Sequence, residues 1–135
     1  MAEEKMRLEI IMPERIFYEG NASMVELATT EGEIGVYPRH IPTTMIVAPG
    51  VLTITQEDGT KRQAALMSGF LEITPDSVSI LAEVAEWPEE IDQERVKRAK
   101  QRAQERLKAK AADIDLARAE LALKRALIRE KMIQK

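Results

Sequence analysis

The sequence lacks cysteine and is poor in histidine and aromatic residues. Its 135 residues include no Cys, one His, one Trp, two Tyr and two Phe. Without cysteine the chain can form neither disulfides nor thiolate metal sites, which fits a reducing compartment. Because His40 is the single histidine, a cluster of histidine ligands cannot form within one chain, and we expect no metal site. A hydrophobic core must therefore be built from Leu, Ile, Val, Met and Ala.

Long apolar runs are also absent. The first six residues are acidic and have no apolar centre, so they do not have the pattern of a signal peptide. No run approaches the roughly 20 apolar residues that span a bilayer, so we expect no direct membrane insertion. These absences predict a cytoplasmic protein, which could still sit on a membrane complex through a partner.

Neither part of the chain balances its own charges. Residues 1–87 hold 6 Lys and Arg against 14 Asp and Glu, a net charge of −8. Residues 88–135 hold 14 against 9, a net charge of +5. Such a division indicates two modules with different partners. The basic module would suit an acidic surface, although a charged face can equally serve solvation alone.

The first module has the pattern of short β-strands. Apolar residues alternate with others at 6–11, 51–55 and 77–81, which is typical of half-buried strands. Turn residues separate these runs, and Asp58-Gly59 predicts a hairpin. Many short strands at such intervals favour a β-sandwich or barrel.

The second module has the pattern of helices. Beyond Pro88 there is no Gly and no further Pro, and helix-favouring residues dominate. Asp92 is predicted to cap a first helix ending near Ala109, and Asp113 a second ending near Met132. A short link at 110–112 implies an antiparallel hairpin. The predicted fold is therefore α+β: an antiparallel β-sandwich over residues 1–87, then a two-helix hairpin over 88–135.

The predicted apolar face of the hairpin is thin. The first helix offers Val96, Ala99, Ala103 and Leu107, and the second Ile114, Ala117, Leu121 and Ile128, with Ala122 and Leu123 beside them. Alanine lets helices approach closely but buries little area, so at about 25 cal/mol per Å² the seam adds modest stability. The hairpin is either an ordinary two-helix appendage or a hairpin that can open and dock on a partner. The seam alone does not decide between these two interpretations.

Motifs for catalysis are missing. The chain has no Gly-x-Ser-x-Gly and no phosphate-binding Gly-x-x-x-x-Gly-Lys-Ser/Thr. Glu31 and Glu33 form a possible acid pair, but nothing catalytic accompanies them, and solvated turn carboxylates are the simpler interpretation. We therefore expect no catalytic residues. Around this pair, residues 31–42 hold two glycines and two prolines, which predicts a rigid loop, either a plain connector or a shaped surface.

The segment Glu-Gly-Glu-Ile-Gly-Val-Tyr-Pro-Arg-His-Ile-Pro at 31–42 closely resembles the signature loop of the epsilon subunits of bacterial F-type ATP synthases. Residues 13–20, 69–73, 78–82 and 118–126 also resemble that family. The resemblance implies a non-catalytic rotor subunit of the central stalk. It would lie peripherally at the cytoplasmic face of the bacterial plasma membrane.

The resemblance also implies partners. The sandwich would bind the gamma subunit and the c subunits of the rotor ring, with Glu31, His40 and Pro42 contacting the ring. The helices would extend into the alpha and beta subunits of the catalytic head and inhibit ATP hydrolysis. Whether the coupling ion is a proton or sodium is a property of the ring.

Residues 91–96 resemble the Ile/Leu-Asp-x-x-Arg-Ala motif by which some epsilon subunits bind ATP as a regulatory ligand, with or without magnesium. The site implied by this resemblance consists of Glu86, Ile91, Asp92, Arg95, Arg102, Arg125 and Arg129. Val96 replaces the alanine of the motif, and its extra methyl groups would cost of order 1–3 kcal/mol in a tight pocket. The alternative is that Asp92 is only a helix cap, that the arginines form a solvated face, and that no cofactor binds.

Two other functions fit the same architecture. An adaptor or chaperone-like protein could use a sandwich and a hairpin for protein binding. A nucleic-acid binder could use the basic helices, but the acidic sandwich and the lack of interleaved aromatic and basic residues argue against it.

Overall fold

The structure, a computed structural model, describes residues 5–109 and 113–133. The chain divides into two compact units, Met1–Glu86 and Trp87–Lys135. The predicted link at 110–112 lies outside the described residues.

The first unit is the predicted β-sandwich. Its strands are β1 (Met6–Ile11), β2 (Ile16–Ala22), β3 (Met24–Thr29), β4 (Gly32–Val36), β5 (Thr43–Val47), β6 (Gly50–Thr55), β7 (Lys61–Ile73) and β8 (Ser77–Glu86). Their order is β2-β1-β8-β7-β5-β3-β4, and β6 pairs with β3 and β7. Neighbours are antiparallel except β1 and β8, which run parallel. The long strand β7 pairs with β6 through residues 61–66 and with β5 through 69–73, so it belongs to both layers.

The core follows the period-two pattern of the sequence. In β1 and β6 the side chains of Leu8, Ile10, Leu52 and Ile54 are fully buried, while their neighbours in sequence are more exposed. Burying a Leu or Ile side chain contributes about 1.5–3 kcal/mol. The predicted strands at 6–11, 51–55 and 77–81 are confirmed. The predicted hairpin at Asp58-Gly59 is confirmed too, because it joins β6 to β7.

Residues 31–42 do not form one loop, so that prediction is wrong. Gly32–Val36 is strand β4, which pairs with β3 from Thr29↔Gly32 to Val25↔Val36. Gly32 has φ +114°, a backbone angle that glycine adopts without a steric penalty, and the chain reverses there into the new strand. Pairing with β3 then satisfies backbone groups that a free loop would leave to water.

A bulge distorts β7 at its midpoint. The pairing of β7 with β8 shifts register on both sides of Ser68. The next residue, Gly69, has φ +149° and packs directly against β8. A Cβ atom at this position would collide with the carbonyl oxygen of Leu81 and lie 3.0 Å from the Cα of Ala82. Only glycine fits here, and the bulge turns the second half of β7 toward its other partner strand.

The second unit consists of α1 (Gln93–Lys108) and α2 (Asp113–Ile133), preceded by a 3₁₀ turn at Pro88–Glu90. The carboxylate of Asp92 accepts hydrogen bonds from the backbone N–H groups of Glu94 (2.9 Å) and Arg95 (3.2 Å). The predicted cap of α1 is therefore confirmed. Asp113 is the first residue of α2, not a residue that precedes it.

The seam between the helices differs from the prediction on α2. Val96 and Ala103 are buried on α1, as expected, and Ala119, Ala126 and Met132 are buried on α2. Ala117 and Leu121 were predicted for the seam, but both are exposed. Small residues spaced seven apart let the helices approach more closely than leucine would allow, which explains the choice of face. The side chain of Ile114 lies outside the described residues.

Candidate functional site

A row of exposed apolar side chains crosses the outer face of the sandwich. Ile46, Phe70, Leu81 and Ile16 are each between 53% and 58% exposed. The strand pairing brings them together, since Ile46 pairs with Phe70 and Phe70 with Leu81. Leu81 pairs with Ile11, which pairs with Ile16. We call these five residues the apolar row. At about 4.8 Å per strand it spans roughly 19 Å.

A shallow hollow of ≈ 330 Å³ adjoins the apolar row. Its lining includes Phe70 and Leu81 of the row together with Met12, Pro13 and Gly69. A contiguous apolar surface of this kind usually marks a protein interface. This surface was not predicted from the sequence, although a signal was present. Consecutive apolar pairs such as Phe70-Leu71 and Ile80-Leu81 put one side chain on each face of a strand.

The loop between β4 and β5 carries two of the predicted ring contacts, His40 and Pro42. The backbone N–H of Arg39 donates to the carbonyl of Pro75 (2.8 Å), which fastens the loop to the β7–β8 turn. Arg39 also has φ +67°, an angle that non-glycine residues adopt at a cost of order 1–3 kcal/mol. Beside it, Ile41 is 74% exposed. The loop is thus fixed in shape and presents an apolar tip.

His40 has a defined tautomer in this loop. Its Nδ1 lies 2.7 Å from the carbonyl oxygen of Ile41, which also accepts from the hydroxyl of Thr43 (2.9 Å). A carbonyl oxygen can only accept, so Nδ1 carries the proton. In the neutral ring, Nε2 can then accept a hydrogen bond from a partner.

Glu31 lies apart from His40 and Pro42. It occupies the β3–β4 turn, where its backbone N–H donates to the Thr29 hydroxyl (3.1 Å) and that hydroxyl donates to the Gly32 carbonyl (2.7 Å). Strand β4 separates Glu31 from His40, a distance of about 16 Å for five extended residues. The structure therefore brings His40 and Pro42 together and leaves Glu31 at the other end of β4.

The residues predicted to bind ATP are distributed over both units. Glu86 is the last residue of β8. Ile91 is half-buried, and Asp92 uses its carboxylate to cap α1. The capping interpretation of Asp92 is thus correct, whether or not the residue also contacts a ligand. Val96 is buried on the seam, at 5% exposure, so its methyl groups already pack between the helices.

The four arginines lie on one flank of the hairpin. Arg95, Arg102 and Arg125 each precede a buried seam residue by one position, and Arg129 follows Ala126 by three. At about 100° per residue all four lie on the same side of their own helix relative to the seam. The start of α1 (Gln93) and the end of α2 (Ile133) line one groove, so the two helices are antiparallel. In an antiparallel pair, the arginine-bearing sides of the two helices point to the same side of the hairpin. We call these four residues the arginine flank.

Position along the hairpin brings some of these arginines closer than others. Lys100 of α1 contacts Glu130 of α2, which places Arg102 at the level of Arg129. Arg125 lies about one turn further along α2, and Arg95 about 10 Å away along α1. The Nε of Arg125 is buried without a hydrogen-bond partner among the described residues. A buried, unsatisfied donor of this kind fits an anion.

Other chemistry has no visible basis in the described part of the chain. Within residues 5–109 and 116–133, no three His, Asp or Glu side chains gather as they would around a metal ion. In the same ranges, no helix has the length and apolar character needed to cross a membrane.

Comparison with known proteins identifies the class. The β-sandwich domain of the ATP synthase delta/epsilon chain matches residues 5–88, and the long α-helix domain of the same chain matches residues 89–134. The chain therefore belongs to the ATP synthase delta/epsilon chain family.

Individual relatives narrow the class to epsilon chains. The chain is 44% identical over 134 residues to the ATP synthase epsilon chain of Caldanaerobacter subterraneus subsp. tengcongensis, covering 98% of this chain and 96% of that one. It is 45% identical to the epsilon chain of Shouchella clausii, covering 92% and 91%. These chains are non-catalytic subunits, and so is this one. A chain from the Euglena gracilis mitochondrial ATP synthase (OSCP/F1/c-ring) superposes with a TM-score of 0.84 at 25% identity, covering 96% of this chain and 82% of that one. A chain from the Tetrahymena thermophila mitochondrial enzyme (central stalk/c-ring) shares the fold, with a TM-score of 0.70 at 12% identity over 99% and 100%.

Proposed function

We propose that this chain is a rotor subunit in the central stalk of a proton- or sodium-translocating F-type ATP synthase. Its sandwich would hold the gamma subunit and the c-ring, and its hairpin would regulate ATP hydrolysis. The subunit would lie peripherally at the cytoplasmic face of the bacterial plasma membrane. Family membership and the likeness to chains in F1/c-ring and central-stalk assemblies support this role. Isolation of the native complex, with identification of its subunits, tests it directly.

We propose the apolar row as the surface that binds gamma, and this observation carries the docking function. Its large side chains are exposed side by side on a rigid sheet, and such aromatic and aliphatic anchors dominate protein interfaces. Phe70→Glu should leave the fold intact, because Phe70 is exposed, yet weaken gamma binding at least about tenfold, as expected when an anchor is lost. Ile41→Glu is the matched control, since Ile41 is exposed but lies outside the row. Equal gamma affinity for Phe70→Glu and the wild type would contradict this assignment.

We place the rotor ring at the β4–β5 loop. The loop is pinned by the Arg39–Pro75 hydrogen bond and presents His40 and Pro42 together. Because the chain has no native cysteine, a single cysteine can be introduced without interference. Cysteines at 40 and 42 should both cross-link to a c subunit in the assembled enzyme. A cysteine at 31 reports on the other end of β4. If only position 31 cross-linked to a c subunit, the end of β4 that faces the ring would be the opposite of the one proposed here.

The hairpin is proposed to inhibit ATP hydrolysis by extending toward the alpha and beta subunits. Its seam is narrow and made mostly of small residues, so separating the helices exposes little apolar surface. A chain that ends after Trp87 keeps every strand, and we expect it to fold and to assemble. ATP hydrolysis by that complex should rise. Unchanged hydrolysis would leave the helices without an inhibitory role, and failed assembly would make them structural.

We propose that the closed hairpin binds ATP as a regulatory ligand and does not hydrolyse it. Guanidinium groups of the arginine flank would hold the phosphates through charge-assisted, bidentate hydrogen bonds. The buried Nε of Arg125 lacks a partner, and this observation supports an anion there. Ile91 and Asp92 would complete the site on the adenine side. Bound ATP would stabilise the closed hairpin by mass action and so relieve inhibition.

Calorimetry on the isolated full chain tests the ATP site, with ATP alone and with ATP and magnesium. We expect a heat of binding for the wild type and none for Arg95→Ala combined with Arg125→Ala. Arg98→Ala is the matched control, since Arg98 lies on the exposed outer face of α1. No heat of binding at millimolar ATP would contradict the proposal, and binding by the double variant would contradict this choice of residues.

A further inference from the structure

An ion pair joins the two helices at the middle of α1. The Nζ of Lys100 lies 3.1 Å from each carboxylate oxygen of Glu130, thirty residues further along the chain. Both side chains are about 30% exposed, so the pair is shielded from much of the solvent. Such a pair is less screened by salt than one in open water. It spans the seam and can form only while the helices are together.

The surroundings of this pair make Glu130 the sharper residue to test. It borders a groove of ≈ 440 Å³, which is also lined by Val96, Ile133 and a second cation, Lys97. Lys97 lines the same groove, so it could take over part of the interaction if Lys100 were lost. Among the described residues, no such substitute for Glu130 lines the groove, since the remaining lining residues are Gln93, Gln101 and Gln104.

The ion pair lies on the flank opposite the arginines. Lys100 follows buried Val96 by four positions and Glu130 follows buried Ala126 by four, about +40° around each helix. The arginines of the arginine flank are rotated in the opposite direction, by about −60° to −100° from the same seam residues. The pair therefore lies away from the side chains that would hold an anion.

We propose that Lys100 and Glu130 form a clasp that sets how much of the hairpin is closed in the absence of nucleotide. The seam itself buries mostly alanine, so one shielded ion pair is a substantial part of what favours closure. Separating the helices breaks the pair and returns both charges to water. Through the regulation proposed above, on which this step rests, the clasp also sets the apparent affinity for ATP. Only the closed fraction binds, so the apparent Kd rises in inverse proportion to that fraction.

Hydrogen exchange on the full-length protein without nucleotide tests the clasp alone. Glu130→Gln keeps the size of the side chain and removes its charge, and it should raise amide exchange rates in α2 about two- to fivefold. Raising the salt concentration should speed exchange in the wild type and have little effect in this variant. Glu120→Gln, an exposed substitution of the same kind on α2, is the control and should change nothing. Exchange in Glu130→Gln at the wild-type rate overturns the clasp.

Exchanging the two charges distinguishes the effect of the ion pair from the effect of either residue alone. Combining Lys100→Glu with Glu130→Lys should restore slow exchange, while either reversal alone places like charges together and should speed it. If the double reversal is as fast as the single ones, the pair is not what holds the helices.

ATP titration of the same variants tests the regulatory step. Glu130→Gln should raise the apparent Kd by the ratio of the closed fractions of the wild type and the variant, as obtained from the exchange rates. A Kd ratio that departs from the ratio of closed fractions would leave the clasp standing and overturn its link to nucleotide binding. Absence of ATP binding in the wild type would instead contradict the proposed ATP site, and the exchange experiment would still decide the clasp.

Discussion

Replacing Gly69 with alanine should destabilise the sandwich more than any comparable change at its surface. The added Cβ would collide with the Leu81 carbonyl oxygen and press on the Ala82 Cα at 3.0 Å, and both are backbone atoms that cannot rotate away. Backbone strain at φ +149° adds about 1–3 kcal/mol and overpacking a similar amount. The expected loss is therefore of the order of 2–5 kcal/mol, a large part of the stability of a small domain.

The assay is thermal unfolding of the full-length chain, with hydrogen exchange of β7 and β8 amides to localise the effect. At roughly 4–8 °C per kcal/mol for a domain of this size, the midpoint should fall by about 10 °C or more. Gly32→Ala is the matched control. Gly32 also has positive φ, +114°, but nothing lies within 4 Å of its added Cβ, so this change reports backbone strain alone. If the two variants lost equal stability, the collision with β8 would not be the cause.

Three further predictions concern local contacts. The Thr60 hydroxyl, and then the Thr60 backbone N–H, hydrogen-bond to Asp58 and lower the pKa of its carboxyl below the ordinary value. The resulting stability is present above the unfolded pKa and is lost as pH falls through the folded one; Thr60→Val should raise the pKa, as measured by NMR titration. Gly50→Ala would bring its Cβ to 2.7 Å from the Cβ of Ala28, and urea unfolding should show a loss of about 1–3 kcal/mol. Asp92→Ala should cost about 1 kcal/mol, with faster exchange confined to the first turn of α1; protection retained there would show that the cap is not needed.

Local features were predictable from the sequence because they depend on neighbouring residues. The alternation of apolar and other residues at 6–11 predicted strand β1. An acidic residue directly before a helical pattern predicted the N-cap at Asp92. The hairpin at Asp58-Gly59 followed from turn chemistry in the same way. Each of these depends on a few consecutive side chains and on backbone geometry that those residues favour.

Features that depend on distant partners were not predictable in the same way. Gly32–Val36 has few strand-forming residues, and β4 exists because β3 is there to pair with it. On α2, the predicted seam included Ala117 and Leu121, but Ala119 and Ala126 are the buried residues, because the face that allows a close approach depends on the other helix. Consecutive apolar pairs indicate exposed side chains one strand at a time, but the apolar row forms only when five strands are placed side by side. The arginines of the candidate ATP site came from a resemblance, and their common flank depends on the pairing of the helices.

The parallel pairing of β1 with β8 constrains the order in which the chain can fold. Strand β1 can form a hairpin with β2 early, but its other edge stays unpaired until Ser77–Glu86 has been synthesised. Contacts between residues so far apart in sequence slow folding, because a long loop must close first. On the ribosome, the sandwich would therefore be completed only as the first helix begins to emerge. Truncation within β8 should leave an exposed strand edge prone to aggregation, whereas truncation after Trp87 removes nothing that this last pairing needs.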